Sequence, residues 1–321
     1  MLHNFMLAAR ECGVTMRQFR QEARVVADCF IAAVERYQYD SVVVDVDTAT
    51  LAGAVGVPVD FPEDEPARCC GARLGDLEMV EELQPVDLAK DGRVQVWLEA
   101  TRLLKEHFGQ EVFIRGNCDQ APFSLACLMR SPEGWMLDLL APKKEPLIHQ
   151  LLGYCAAVAR QFIRLMAEAG ADMTSNGDSL ASPDLIAPAM YRRFALPYES
   201  WVIAGAHELG LPHALHICGN TTRILADMVA SGADGLELDY KTDVRAAHDA
   251  LKGRAAFIGN LDPAGVLLNG SPGLVAEKTR ALIELFADTP GFILNAGCAI
   301  PPGTPAANVR AMIEAARAGK G

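Results

Sequence analysis

Short apolar segments rich in Val, Ile and Leu alternate along the chain with longer segments in which apolar residues recur at helical spacing. A parallel sheet whose strands are joined by crossover helices produces this alternation. The short segments predict strands at residues 41–47, 111–116, 172–176, 213–217, 235–238, 255–259 and 292–295, with a stub at 2–5. The longer segments predict helices at residues 16–37, 94–107, 145–169, 183–208, 223–230, 274–286 and 305–318.

Eight β/α units in 321 residues predict an α/β fold, a single (β/α)8 TIM-type barrel in one domain over residues 1–321. An open doubly wound sheet is the alternative, although no Gly-x-Gly-x-x-Gly follows a strand and no Walker sequence is present. Ser182-Pro183 and Thr304-Pro305 each resemble a helix N-cap followed by a first-turn proline. Residues 56–75 break the rhythm with three prolines, and we predict an excursion over the barrel mouth there.

The net charge of −12 argues against a nucleic-acid partner or an anionic membrane surface, which would need basic patches. No apolar run approaches the roughly 20 residues of a membrane-spanning helix. The first five residues lack the plan of a signal peptide. Nine cysteines with no regular framework indicate a reducing compartment. We therefore expect a cytoplasmic protein.

Polar side chains lie at the C-terminal end of every predicted strand, which is where TIM barrels carry their chemistry. In strand order they are His3 and Asn4, Asp45 and Asp47, Asn117 and Asp119, Asn176 and Asp178, His216 and Cys218, Glu237 and Asp239, Asn260 and Asp262, and finally Cys298. Asn and Asp also cap helices and begin turns, and we assign that role to Asp119, Asp262 and Asn220.

His216, Cys218 and Cys298 form the most informative group. His216 and Cys218 are two residues apart, so they share a face while the chain is extended. A buried histidine beside an inert cysteine is the alternative interpretation. Cys298 favours a metal site, because it follows another strand in Gly297-Cys298-Ala299-Ile300-Pro301-Pro302. One imidazole and two thiolates suit zinc, and three protein ligands leave a fourth position open, as in catalytic zinc sites.

The stretches Leu-His-Ile-Cys-Gly-Asn at 215–220 and Gly-Cys-Ala-Ile-Pro-Pro-Gly-Thr-Pro-Ala-Ala-Asn-Val at 297–309 resemble the uroporphyrinogen decarboxylase superfamily. The His-x-Cys…Cys triplet resembles more closely its zinc-dependent, corrinoid-linked methyltransferase branch, which includes methylcobamide:coenzyme M methyltransferases and bacterial demethylase components. Segments similar to the wider superfamily are Asp47 with 51–56, Ala-Pro-Phe-Ser-Leu-Ala at 121–126, and Ser182-Pro183 followed by Tyr191 and Pro197.

The resemblance implies that zinc is bound by His216, Cys218 and Cys298, with Glu237 as an exchangeable fourth ligand. It implies catalytic roles for Asp47, Glu237 and Asp178, and substrate contact or support from Asn117, Asn176, Asn260 and Tyr191. No Asp-x-His-x-x-Gly corrinoid signature is present, so a corrinoid (cobalamin) is expected on a separate partner protein. A homodimer is left open.

The favoured reaction is demethylation of a small methyl ether or methylamine onto the corrinoid, and the mirror reaction methylates a thiol. A metal-free decarboxylase is the alternative enzyme, and an inactive accessory barrel is the non-enzymatic one. Decarboxylases of the superfamily carry Arg-Gln-Ala-Gly-Arg where this chain has Met6-Leu7-Ala8-Ala9-Arg10, so tetrapyrrole binding is not expected. The chain begins close to the end of the first strand, which we expect to be short.

Overall fold

The computed structural model describes residues 1–318 of the chain. Its strands are β1 Ser41–Val44, β2 Val59–Asp60, β3 Arg68–Cys69, β4 Phe113–Gln120, β5 Met173–Gly177, β6 His213–Ile217, β7 Gly235–Leu238, β8 Ala256–Leu261 and β9 Phe292–Ala296. Its α-helices are α1 Phe5–Glu11, α2 Met16–Gln21, α3 Ala23–Tyr37, α4 Thr50–Ala54, α5 Gly92–Phe108, α6 Pro122–Arg130, α7 Pro132–Leu139, α8 Glu145–Glu168, α9 Pro188–Met190, α10 Leu196–Glu208, α11 Leu225–Ala230, α12 Val244–Leu251, α13 Pro272–Leu285 and α14 Ala306–Ala318.

Seven parallel strands form one curled sheet in the order β1-β4-β5-β6-β7-β8-β9. The eighth place is taken by residues 1–3, because Leu2 forms a parallel bridge with Val42 on β1. On the other side, the Ile300 amide donates to the His3 carbonyl oxygen at 2.7 Å. The predicted (β/α)8 architecture is confirmed, with the first strand reduced to a single bridge.

Every predicted strand has an observed counterpart, and β6 and β7 have the predicted bounds. The predicted helix 16–37 is broken at Glu22, whose backbone is extended with φ −129° and ψ 111°. The predicted helix 183–208 was wrong at its start. Ser182 begins a turn, the helical segment starts at Pro188, and a π-helical turn at Tyr191–Ala195 joins α9 to α10.

Thr304 does not cap α14, because its buried hydroxyl has no hydrogen-bond partner among the described residues. The helix still begins at Ala306, directly after Pro305, since proline suits the first turn of a helix.

The core lies between the sheet and its helices. Trp97 on α5 and Phe162 on α8 are fully buried and meet edge to face, with ring centroids 5.6 Å apart. Each such side chain contributes about 1.5–3 kcal/mol through removal of apolar surface from water. These layers hold the strand ends, and therefore the site, in fixed positions.

The excursion contains the hairpin β2–β3, which lies against the C-terminal ends of β1 and β4. Buried Arg20 on α2 fastens it by donating to the Glu65 carbonyl oxygen at 2.9 Å and to that of Pro62. Burial and the charges of Asp119 and Asp47 raise the pKa of Cys69 to about 11, so the hairpin adjoins both carboxyl groups. Within residues 1–318, no helix has the length and apolar character needed to cross a membrane.

Candidate metal centre

His216, Cys218 and Cys298 converge at the barrel mouth. His216 is the fourth residue of β6, Cys218 follows the strand, and Cys298 lies two residues beyond β9. Their ligand atoms all lie within 4.8 Å of one another, and His216 Nε2 is 3.1 Å from Cys218 Sγ. The structure therefore brings together the three residues that the sequence predicts as metal ligands.

Two glycines allow the loops that carry Cys218 and Cys298 to pack closely against the neighbouring loop after β7. At Gly297 a Cβ atom would lie 2.5 Å from the Tyr240 backbone nitrogen, so only glycine fits between the loops that follow β7 and β9. Gly219 turns the chain after Cys218 with φ +85°, a conformation that favours glycine, and its amide donates to Asp239 Oδ2 at 2.8 Å. Local backbone requirements thus fix where both thiols lie.

Hydrogen bonds orient the ligand atoms. His216 Nδ1 lies 2.9 Å from the Glu237 carbonyl oxygen, which can only accept, so Nδ1 carries a proton and Nε2 is the nitrogen that faces the thiols. The Ser179 hydroxyl donates to Cys218 Sγ at 3.1 Å. Both contacts orient a ligand atom, His216 Nε2 or Cys218 Sγ, toward the place where a cation would bind.

The site favours one thiolate even without a cation. Donation from the Cys298 thiol and the charge of His216 lower the pKa of Cys218 to about 3, although burial opposes this. The same contact with Cys218 raises the pKa of Cys298, which keeps its proton. A soft cation binds thiolates, so its binding here would displace the second proton.

A buried ion pair lies directly beneath His216. Glu237 is opposite His216 in the β6–β7 register, and Arg115 Nη2 donates to its Oε2 at 2.5 Å. The Asn295 amide donates to Oε1 at 2.7 Å. Burial would raise the pKa of Glu237, but the charges of Arg115, His216 and His3 outweigh it and lower the pKa to about 2.

Glu237 lies outside the group of ligand atoms that approach within 4.8 Å of one another in the described chain. Its Oε2 atom is 4.0 Å from His216 Nδ1, the nitrogen that faces away from the thiols. The side chain that the sequence offered as an exchangeable fourth ligand is therefore held beneath the site in this arrangement.

The other residues predicted for the site lie around the barrel mouth and make different contacts. Asp47 Oδ1 accepts from the Ala49 and Thr50 amides and from the Thr50 hydroxyl, and Oδ2 is buried without a partner among the described residues. Burial raises the pKa of Asp47. Asp178 accepts from the Ser124 amide at 2.7 Å, and burial raises its pKa to about 6.

Tyr191 is fully buried, and its hydroxyl donates to Glu199 at 2.5 Å. Asn176 donates to the Cys118 carbonyl oxygen at 2.7 Å, and Asn260 donates to that of Asp239 at 3.2 Å. Asn176 and Asn260 therefore link neighbouring strand ends, whereas Tyr191 links the π-helical turn to α10.

Asn117 is only half-buried, and its Oδ1 accepts from the Ser175 hydroxyl at 3.3 Å. Of the predicted caps, Asp262 accepts from the Ala264 and Gly265 amides, and Asn220 accepts from the Thr222 amide. Asp119 instead accepts from the Leu51 amide in the first turn of α4.

Three functional neighbours escaped the sequence reasoning. Arg115 is a charged residue that directly follows the apolar run Val112-Phe113-Ile114, and that break in the pattern was the available signal. Ser179 gave no signal, because serine is common in turns. His3 was noted but not assigned, and its Nε2 lies 2.6 Å from Asp45 Oδ2 beside the loop of Cys298.

A cleft of about 700 Å³ opens next to the Cys298 loop (residues 297–302), where α1, the start of α2 and the excursion also border it. Both apolar and charged side chains line it. They include Met6, Arg10, Thr15, Met16, Glu65 and Pro301.

The sequence profile of the uroporphyrinogen decarboxylase (URO-D) family matches residues 4–319, so this chain belongs to that family.

Proteins of similar sequence and structure indicate which members of the family this chain resembles. The chain is 34% identical over 277 residues to the methylcobamide:CoM methyltransferase MtbA of Methanosarcina acetivorans, covering 82% of this chain and 79% of the relative. It is 32% identical over 232 residues to MtaA of Methanosarcina barkeri, covering 72% and 66%. A solved methyltransferase from Methanosarcina mazei superposes with a TM-score of 0.90 at 26% identity, covering 99% and 92%. These relatives support corrinoid-dependent methyl transfer as the general kind of reaction.

Proposed function

We propose that this protein is a zinc-dependent methyltransferase that moves a methyl group between a small substrate and the cobalt of a corrinoid on a separate protein. The observation that carries the proposal is the convergence of His216, Cys218 and Cys298 ligand atoms within 4.8 Å at the barrel mouth. Two sulfurs and one imidazole nitrogen fit zinc and do not fit magnesium or calcium.

A thiol is the small substrate that we favour, and the methyl group would travel from cobalt to sulfur. The relatives support this direction, since the names of MtbA and MtaA specify CoM as the partner of the methylcobamide. Demethylation of an ether or amine uses the same site and runs in the opposite sense. When bound, zinc would supply the Lewis acidity that keeps a thiol substrate in its nucleophilic thiolate form.

The chain's own residues would prepare that chemistry. The Glu237 carbonyl oxygen holds the proton on His216 Nδ1 and leaves Nε2 for the cation. The Ser179 hydroxyl stabilises negative charge on Cys218. In the transfer the thiol sulfur would accept the methyl group, the bonding pair of the broken cobalt–carbon bond would stay with the corrinoid, and the thiol proton would pass to solvent.

We assign the 700 Å³ cleft beside the Cys298 loop to substrate entry and corrinoid docking. Asn117 is our choice for direct substrate contact, because it is only half-buried. Asp47, Asp178, Asn176, Asn260 and Tyr191 would support the strand ends from beneath. The cytoplasmic location and the homodimer stay predictions from the sequence.

The test combines metal analysis with an assay of both directions. We expect about one zinc per chain by plasma emission. The protein should then convert methylcob(III)alamin and a thiol to cob(I)alamin and a methyl thioether. Methyl ethers and methylamines with cob(I)alamin test the reverse direction. A protein that takes up no zinc when zinc is supplied, and transfers no methyl group, would contradict the proposal and return the decarboxylase alternative.

A further inference from the structure

Three arginine side chains surround a pocket that borders the excursion, away from the metal-ligand group. Arg17 and Arg20 lie one turn apart on α2, so they point to the same side of that helix. Arg93 lies in the first turn of α5. Together with Phe61 of the excursion they line a cavity of about 410 Å³. Pockets that bind small molecules have volumes of roughly 300–1,000 Å³, so this cavity is large enough for one.

The positive charge of this pocket is only partly neutralised. Arg17 forms an ion pair with Glu63, in which Nε lies 2.7 Å from Oε2. Within residues 1–318, neither Arg20 nor Arg93 forms an ion pair. Asp91 also lines the cavity, but its Oδ1 already accepts from two amides in the first turn of α5, at 2.9 and 3.0 Å. A pocket with more arginines than carboxylates is an exception in a chain whose net charge is −12.

The three arginines act unfavourably on one another. Burial lowers the pKa of Arg20, and the charges of Arg17 and Arg93 act in the same direction. The charges of Asp47 and Glu63 oppose this effect, but the pKa of Arg20 stays below its ordinary value. Clustered like charges repel, and a bound counter-ion removes that repulsion. The pocket therefore favours an anion.

Anchoring of the excursion accounts for only part of this arrangement. Arg20 is 5% exposed and donates to the Glu65 and Pro62 carbonyl oxygens. Its Nε is buried without a hydrogen-bond partner among the described residues. Arg93 contacts the excursion through the Phe61 ring, whose centroid is 3.9 Å from the Arg93 Cζ. The guanidinium N–H groups of Arg93 have no acceptor within residues 1–318, so they can donate to an oxyanion.

We propose that Arg17, Arg20 and Arg93 form a binding site for the phosphate groups of a small phosphorylated molecule. Guanidinium groups donate paired N–H bonds to phosphate oxygens. A phosphate group has nearly two negative charges and three acceptor oxygens, which suits three arginines better than the single charge of a carboxylate. The inference does not depend on the proposed function, because no metal ligand lines the pocket. The bound phosphate would link α2, α5 and the excursion.

The test uses the full chain with inorganic pyrophosphate as the probe, at constant ionic strength. We expect saturable binding by isothermal titration calorimetry and a higher Tm at saturation, since a ligand of the folded state stabilises it. Citrate, which has carboxylates in place of phosphates, should bind more weakly than pyrophosphate.

Gly92→Glu tests the location of the site without changing an arginine. Gly92 lines the pocket, and a Cβ there meets nothing within 4 Å. An acidic residue also suits the first turn of a helix, so the variant should fold. We expect its pyrophosphate binding to be lost, because the added carboxylate repels the anion.

Arg93→Gln removes one charged donor and should weaken pyrophosphate binding by about tenfold, the usual effect of losing a hydrogen bond to a charged group. Arg280→Gln is the matched control, because Arg280 is exposed on α13 and lies outside the pocket. This control should bind pyrophosphate as the wild type does.

No saturable binding of pyrophosphate to the wild type would overturn the inference, and so would tighter binding of citrate. Equal binding by Gly92→Glu and the wild type would also overturn it, since the anion would then lie elsewhere. These variants retain His216, Cys218 and Cys298, so pyrophosphate held by a bound metal ion would give that equal binding. Failure to bind zinc would instead defeat the proposed function, and the two failures are therefore distinguishable.

Discussion

In one half of the barrel mouth the buried charged groups have partners, whereas in the other half buried carboxyl groups each keep an oxygen without one among the described residues. In the half formed by β6 to β9, which Arg115 reaches from β4, the Glu237 oxygens and His216 Nδ1 have partners, and opposite charges adjoin from Arg115 to Glu237 to His216. In the half formed by β1 and β4, Asp47 and Asp119 are buried beneath the excursion. Each keeps one oxygen without a partner among the described residues.

This difference shows why acidic residues alone do not mark the metal site. Burial and the charge of Asp47 raise the pKa of Asp119 well above its ordinary value, and burial raises that of Asp47. An environment that raises the pKa of a carboxyl group disfavours its charged form, which is the form that binds a cation. Negative charge is instead stabilised at Cys218, where a soft cation has sulfur and nitrogen ligands within reach.

Removal of a metal ligand should have the largest effect, which is complete loss of zinc from the β6–β9 half of the mouth. We expect Cys298→Ala to lower zinc from about one per chain to none and to abolish methyl transfer, since two ligands do not retain the ion. Plasma emission of the purified protein measures this. Cys70→Ala is the matched control, because Cys70 is exposed and outside the ligand group. Full zinc content in the Cys298 variant would refute the assignment.

A change in the backbone beside the ligand should have a smaller effect. Gly297→Ala places a methyl group 2.5 Å from the Tyr240 nitrogen, so the Cys298 loop must shift. We expect zinc affinity to fall by about tenfold to a hundredfold in a chelator competition. Gly153→Ala on α8 is the control, because a Cβ there meets nothing within 4 Å. Equal affinities in both variants would show that the close approach is unimportant.

The hydroxyl beside Cys218 should contribute less again. Ser179→Ala removes the 3.1 Å hydrogen bond to the sulfur and leaves the three ligands in place. A single hydrogen bond of this kind is worth about 1 kcal/mol, so we expect zinc affinity to fall about fivefold. The free energy of urea unfolding of the metal-free protein checks that the fold is intact. An affinity loss as large as that of Gly297→Ala would contradict this ranking.

The contribution of the β1–β4 half of the mouth to stability should depend on pH, and a substitution there should leave zinc content unchanged. The folded-state pKa of Asp119 is raised, so its contribution to stability is present below its unfolded pKa and is lost as pH rises through the raised value. Asp119→Asn should therefore lose less stability than the wild type when pH rises above 4. Urea unfolding at a series of pH values measures this. Parallel stability curves, or a change in zinc content, would show that the two halves are not independent.

The strand positions and the ligand triplet could be predicted from the sequence because both depend on local signals. Short apolar segments define β6 and β7 to the residue, and a His-x-Cys pair in an extended segment presents both side chains on one face. Cys298 could be added because it follows a strand end, where parallel strands bring distant residues together.

The parts that could not be predicted depend on tertiary contacts. Nothing local marks Glu22 as the residue at which one helix becomes two. The aromatic ring of Tyr191 predicts burial, but its pairing with Glu199 depends on the π-helical turn between α9 and α10. Glu237 could be identified as functional by its strand end. Its ion pair with Arg115, a residue 122 positions away, has no local signal.

The barrel closes where residues 1–3 meet β1 and the Cys298 loop, and this closure should affect the rate of metal release. The Cys298 loop is tied to the barrel through the Ile300–His3 contact, and the neighbouring strand is a single bridge at Leu2. Segments with few backbone hydrogen bonds open locally far more often than the whole molecule unfolds. We therefore expect local opening of this closure to set the rate at which a bound ion escapes, with Cys298 departing first while His216 and Cys218 remain on an intact strand.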